Sequence, residues 1–257
     1  MILDDIARST VKRVEKRKLE APEVVEQALS IKKEKPFYME QKLSEAGISF
    51  ICEVKRASPS KGLIAPDFPY LDIARDYEKA GADAISVLTE PEYFMGSNQY
   101  LSEIRQEVSI PILRKDFTVD EYQIYEALTI GADAVLLICA LLDTETLERY
   151  IVIADKLGLS CIVEAHDEDE VKSALSAGAR IVGVNNRNLK DFTVDITNSA
   201  RLRRLVPSDI IFISESGIKT RDDVKKLEDE NVNAVLIGET FMRSPDKAAM
   251  LRELRGA

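Results

Sequence analysis

Four segments of this chain repeat one pattern: AGADAISV, IGADAVLL, AGARIVGV and ENVNAVLI. Their anchors, Gly81, Gly131, Gly178 and Asn231, stand 50, 47 and 53 residues apart. Gly or Asn at such a position fits the left-handed residue that follows a helix. Each anchor leads into a short apolar run, over 82–88, 132–138, 180–184 and 233–238. Four more runs lie between or before them: ISFICEVK (48–55), IPILRK (110–115), LSCIVE (159–164) and IIFISES (210–216). Brief, continuous stretches of Val, Ile, Leu and Ala are expected of parallel strands buried on both faces. Each of the eight precedes a segment that reads as helical, so each interval holds two strand–helix units. Eight such units need roughly 200 residues, within the ~250 of a closed (β/α)8 TIM barrel. An open doubly wound sheet is the alternative. Regular units without a long connection favour closure.

The 257 residues are therefore read as a single α/β barrel domain, 1–257. Residues 1–47 precede the first strand, and Ile2, Leu3, Ile6, Val14, Val24, Val25 and Leu29 recur at helical spacing. They read as a helical N-terminal extension, interrupted at Pro36 and packed on the barrel, either as a cap for apolar surface or with a catalytic role. The net charge of −10 carries no basic stripe, which argues against nucleic-acid binding. No apolar run reaches the ~18 residues of a membrane span, and the acidic N-terminus does not read as a signal peptide. Cys52, Cys139 and Cys161 show no metal-ligand spacing and read as small buried side chains in a reducing cytoplasm. One His in the chain excludes a His-rich metal site, and excludes a Ser–His triad unless His166 serves it.

The odd-numbered runs end in charge or, in the seventh, in the hydroxyl of Ser216. Glu53, Lys55, Lys115 and Glu164 fall at or near C-terminal ends, where parallel α/β folds bind ligands. Ionisable groups are rare inside strands unless something pairs with them. Side chains two apart share a face. Glu53 therefore goes with Lys55, Lys115 with Leu113 and Phe117, and Glu164 with Ile162 and His166. Asn185 goes with Arg187, and Ser214 with Ser216. A structural ion-pair network explains any one pair, but four ionisable groups at one end suit acid–base chemistry. SESG (214–217) and IGET (237–240) carry Gly217 and Gly238. They fall after strands seven and eight, where barrels bind phosphate; a tight turn is the plainer use of either glycine. The long loop RASPSKGLIAPDFP (56–69) reads as a lid. Phe94 and Phe117 read as apolar walls for a flat substrate, or as loop anchors. His166, in HDEDE, is read as part of an acidic helix start rather than as a catalytic group.

EVKRASPSKG, ILRKDF, VEAH, GVNNRNL, SESGI and LIGETFMRSP, in this order, closely resemble indole-3-glycerol phosphate synthases over essentially the whole chain. The resemblance implies a phosphorylated small-molecule substrate, 1-(2-carboxyphenylamino)-1-deoxyribulose 5-phosphate. Its products are indole-3-glycerol phosphate, CO2 and water, and neither metal nor organic cofactor is implied. By motif, Lys115 is then the general acid at the ketone oxygen, and Lys55 the partner of the substrate carboxylate, with Lys55 or Glu53 as a further acid in dehydration. Glu164 is the base, and Glu53 orients the lysines. Asn185, Arg187 and Ser216 hold the sugar, carboxylate or phosphate, with Ser58 in the lid close by. Gly217, Gly238 and Glu239 offer amides to phosphate. Phe94, Phe117, Leu136 and Leu189 surround the anthranilate ring. The isomerase acting one step earlier on phosphoribosylanthranilate is the nearest competing enzyme, but it would be expected to use a Cys and an Asp. A non-catalytic phosphate-binding barrel is the competing class, and an ancestral-type or engineered synthase would retain the same strand ends.

Overall fold

The computed structural model describes residues 2–188 and 192–256. Among them, eight parallel strands close into a barrel. They are β1 (Ser49–Val54), β2 (Ala84–Leu88), β3 (Ile112–Lys115), β4 (Ala134–Ile138), β5 (Ser160–Ala165), β6 (Ile181–Asn185), β7 (Ile211–Glu215) and β8 (Ala234–Ile237). Each pairs with the next, and β8 returns to β1 with Ser49 beside Ala234 and Cys52 beside Ile237. Helices follow the strands, from Tyr70–Ala80 after β1 to Glu239–Arg243 and Lys247–Arg255 after β8.

The repeat works at the floor of this barrel. Gly81, Gly131, Gly178 and Asn231 all adopt positive φ, ending their helices as expected. Two residues on, Asp83, Asp133 and Asn233 accept hydrogen bonds from the backbone N–H groups of Phe50, Ile112 and Phe212. Each thus fixes the start of an odd-numbered strand. In the third copy Arg180 stands there instead, and it binds Glu40 and Asp155. The repeated motif is therefore structural, while the chemistry sits at the opposite end of the strands.

Two apolar layers follow from strand alternation. Ile51, Leu113, Leu136, Ile162, Ile213 and Leu236 fill the barrel interior. Phe50, Cys52, Ile85, Val135, Cys161 and Phe212 pack outward against the helices. The extension is not one cap. It forms α1 (Ile2–Glu20), α2 (Val24–Ser30) and α3 (Tyr38–Leu43), which serve different ends. Met39 and Leu43 of α3 join the interior layer and plug the barrel. Ile2, Leu3 and Ile6 of α1 border the cavity at the mouth. Arg13 binds Asp116 at 2.8 Å and Arg17 binds Glu126 at 3.1 Å, pinning α1 beside the segment that carries Lys115. The long loop after β1 is not irregular throughout. Ala57–Ser58 and Gly62–Leu63 pair as a small antiparallel hairpin.

Candidate active site

The C-terminal ends of the strands surround a cavity of about 700 Å³. Glu53, Lys55, Lys115, Glu164, Asn185, Arg187 and Ser216 all border it, as do Ser58, Gly217, Gly238 and Glu239. Phe94, Phe117 and Leu136 supply apolar wall, with the two phenyl rings 5.9 Å apart between centroids. Leu189 lies outside the described residues. None of the three cysteines borders the cavity.

Lys115 is the hub. Its Nζ lies 2.8 Å from Glu164 Oε2 and 3.5 Å from Glu215 Oε2. Burial alone would discharge it, but Glu164, Glu215 and Glu53 outweigh burial and raise its pKa, so it stays an ammonium. Lys55 pairs with Glu53. Asn185 Nδ2 donates to Glu164 Oε1 at 3.3 Å, while Asn185 Oδ1 accepts from the N–H of Arg187. The orientation of Asn185 is thereby determined.

Glu215 is the residue that the sequence reading missed. It points inward with Ile211 and Ile213, whereas Ser214 points outward to Asn186 and Ser199. The expectation that Ser214 and Ser216 share the mouth is therefore wrong. Strand alternation fails at Ser216 because its φ of 68° is left-handed, and this turn swings Ser216 back to the cavity. A carboxylate inside the apolar run IIFISES was itself the available signal. Room for it comes from Gly183, where a Cβ would lie 2.5 Å from Glu215 Oε1. Gly238 does the same for the other pair, since a Cβ there would collide with Glu53 Oε1 and sit 2.9 Å from Lys55 Nζ.

The two carboxylates beside Lys115 are driven apart. Burial lifts Glu164, but Lys115, His166 and Asn185 more than offset it and hold Glu164 well below the usual carboxylate range. Glu215 is buried, has no hydrogen bond at Oε1 among the described residues, and faces two other carboxylates. It is pushed up to about 7 despite Lys115. One carboxyl kept ionised and one that carries its proton up to about neutral pH, around one ammonium, can supply both a base and an acid.

This has a consequence for stability. Glu215 holds its proton more tightly folded than unfolded. The gain is complete below its ordinary value of 4.5 and is lost as pH climbs through about 7. Glu215→Gln needs no proton, so that slope is expected to disappear. Between pH 5 and 8 the variant should lose up to ~3 kcal/mol less stability than the parent, at ~1.4 kcal/mol per unit. Urea unfolding at both pH values checks this, and equal slopes in the two proteins would refute the assignment.

A family model described as indole-3-glycerol phosphate synthase matches residues 3–254. The chain belongs to the indole-3-glycerol phosphate synthase family. It is 64% identical to the indole-3-glycerol phosphate synthase of Ruminiclostridium cellulolyticum over the full length of both chains. It is 58% identical to that of Endomicrobium trichonymphae, over 99% of this chain and 100% of the relative. Members of this family are carboxy-lyases of tryptophan biosynthesis. The 3-hexulose-6-phosphate synthase structure from Salmonella typhimurium superimposes with a TM-score of 0.66 at 15% identity, over 81% of this chain and 97% of that one. That likeness shows the barrel alone.

Proposed function

We propose that the cluster around Lys115 closes the indole ring of 1-(2-carboxyphenylamino)-1-deoxyribulose 5-phosphate and drives the loss of CO2 and water that follows. The observation that carries this reading is Lys115 clamped between Glu164 and Glu215 at the cavity floor. Lys115 gives its proton to the ketone oxygen as the aromatic carbon attacks. Lys55 holds the substrate carboxylate until CO2 leaves and the ring regains its π system. Glu164, kept ionised, takes the proton from the carbon next to nitrogen during dehydration. The departing hydroxyl needs an acid, and protonated Glu215 joins Lys55 and Glu53 as a candidate for it. Phe94, Phe117 and Leu136 hold the aryl ring. Asn185 and Arg187 orient the opened sugar.

The phosphate is assigned to Ser216, Gly217, Gly238 and Glu239. Ser216 and Gly217 are consecutive left-handed residues, at φ 68° and 86°, and both border the cavity. Glu239 would repel a phosphate if it were bare, but Arg243 at 3.0 Å and Lys61 at 3.5 Å neutralise its carboxylate. A ligand-bound structure is expected to place phosphate oxygens 2.7–3.2 Å from the amides of Gly217 and Gly238; a phosphate seated elsewhere would overturn that assignment. The reading as a whole is tested by adding the substrate and following indole fluorescence. Turnover supports it, while binding without turnover favours a non-catalytic phosphate-binding barrel. A small phosphorylated substrate acted on by one domain, residues 1–257, in the cytoplasm accords with this reading. No helix among the described residues is long and apolar enough to cross a membrane.

A further inference from the structure

The single histidine of the chain stands directly behind the proposed base. His166 lies two residues beyond Glu164, at the end of β5. Its Nε2 is 3.6 Å from Glu164 Oε1, and it makes no hydrogen bond among the described residues. Its Nδ1 is 3.1 Å from Glu170 Oε2, the oxygen that also accepts from the His166 N–H at 2.7 Å. Asn198 Nδ2 donates to the His166 carbonyl at 3.0 Å. The ring is thus held between two carboxylates, one in the active site and one on the helix Glu168–Ser176.

The pair has a use once charges are followed through the reaction, and here the inference rests on the function proposed above. Glu164 Oε2 is held by Lys115. When Lys115 gives its proton to the ketone oxygen it becomes neutral. Glu53, Glu164 and Glu215 then share the mouth with one cation fewer. A carboxylate that loses its ammonium partner in a buried site takes up a proton and ceases to be a base. Something else must hold the charge on Glu164 until dehydration.

We propose that His166, oriented by Glu170, is a positioning residue for Glu164: its imidazolium keeps the carboxylate ionised and aimed after Lys115 has been spent. The electrostatic surroundings agree. Glu164 on its own strand, Asp167 and Glu170 on the next turn and helix, and Glu215 on β7 are all acidic. Across a second cavity of about 510 Å³ stand Asp195, Arg187 and Arg201. Burial disfavours the imidazolium, but Glu170, Glu164 and Glu215 outweigh it and raise the pKa of the ring. His166 borders that second cavity and Glu164 the first, so the histidine does not obstruct the substrate.

The experiment has two arms. With one histidine, the ring gives one NMR titration curve. Its midpoint is expected above 6.5 in the parent, and lower in both Glu164→Gln and Glu170→Gln. This arm needs no substrate, so it decides the His166–Glu164 coupling even if the assigned reaction fails. A midpoint at or below 6.5, or one that Glu164→Gln leaves in place, would overturn the inference. The second arm is the kinetics of His166→Gln, which keeps a polar side chain but no charge. It is expected to lower kcat about tenfold, the worth of one pKa unit, with KM nearly constant, and to bring an acidic limb of kcat into the range above pH 5. His166→Ala should regain activity with added imidazole, which the second cavity can admit. Variants that melt earlier yet keep the parental pH profile and ignore imidazole would reduce His166 to structural support. A parent that does not turn the substrate over would refute the proposed function instead.

Discussion

Lys115→Ala is expected to lower kcat by ~10²–10⁴-fold, the range for general acid catalysis, while the barrel still folds. The variant loses the donor to the ketone oxygen, and it also leaves Glu164 and Glu215 without the ammonium that lies 2.8 and 3.5 Å from them. Removing one partner of a buried ion pair commonly costs about 3–5 kcal/mol. Here part of that is recovered, because Glu215, which Lys115 holds down, then keeps its proton more fully. Lys115 is the largest influence opposing burial on Glu164, so Glu164 should titrate at a higher pH without it. The variant should therefore be most stable at acidic pH, and its residual activity should fall on acidification where the parent's does not. Lys115→Met, which retains the apolar stem, separates lost chemistry from lost packing. A folded Lys115→Ala with undiminished kcat would remove Lys115 from the mechanism.

How much of this site was legible in the sequence follows from how each residue is placed. Glu53, Lys55, Lys115 and Glu164 were readable because they obey two rules at once. They sit at C-terminal ends of apolar runs, and strand alternation puts them on the interior face. The barrel itself was readable from Gly81, Gly131, Gly178 and Asn231, whose left-handed conformations mark the helix ends. Glu215 was not read, although Ile211 and Ile213 set its parity correctly. Extending the alternation through Ser216 assumed an extended backbone, and Ser216 is left-handed. One residue of positive φ brought Ser216 to the cavity beside Glu215, so counting back from Ser216 put Ser214 inside in place of Glu215. The split of the extension between mouth and floor was invisible for a different reason. Helical spacing marks Leu3 for burial but not the end of the barrel that it faces, and Met39 was not among the spaced residues. Gly183 and Gly238 lacked a legible role because a glycine makes room only for a neighbour whose position is known. At Gly238 the nearest neighbours are Glu53 and Lys55, some 180 residues away in the chain.

Glu164→Gln is expected to cost at least ~10²-fold in kcat, with KM changed little, because the amide fills the volume of the carboxylate. The substitution is not silent in its hydrogen bonds. If the amide oxygen stays with Lys115, the amide NH2 meets Asn185 Nδ2, itself a donor, and Asn185 cannot turn because its oxygen accepts from Arg187. The NH2 then leans to His166 Nε2, which accepts only when the ring is neutral. The variant thus discharges His166 and leaves Glu215 as the carboxylate within reach of Lys115. Repulsion from Glu164 is among the causes that lift Glu215 to about 7, so Glu215 should fall below that value in the variant. Two pH signatures follow. Glu164 is held so low that it stays ionised throughout the working range, so its own loss should cost nearly the same factor in kcat from pH 5 to 9 once Glu215 is silenced as well. Any part of the profile that Glu215 sets near pH 7 should move to lower pH. The measurement is kcat and KM of Glu164→Gln across that range, beside Glu215→Gln as reference. A sharp rise in KM with unchanged kcat would make Glu164 a binding group. A deficit that closes towards pH 5 even in a Glu215→Gln background would show that the base titrates there and is not Glu164.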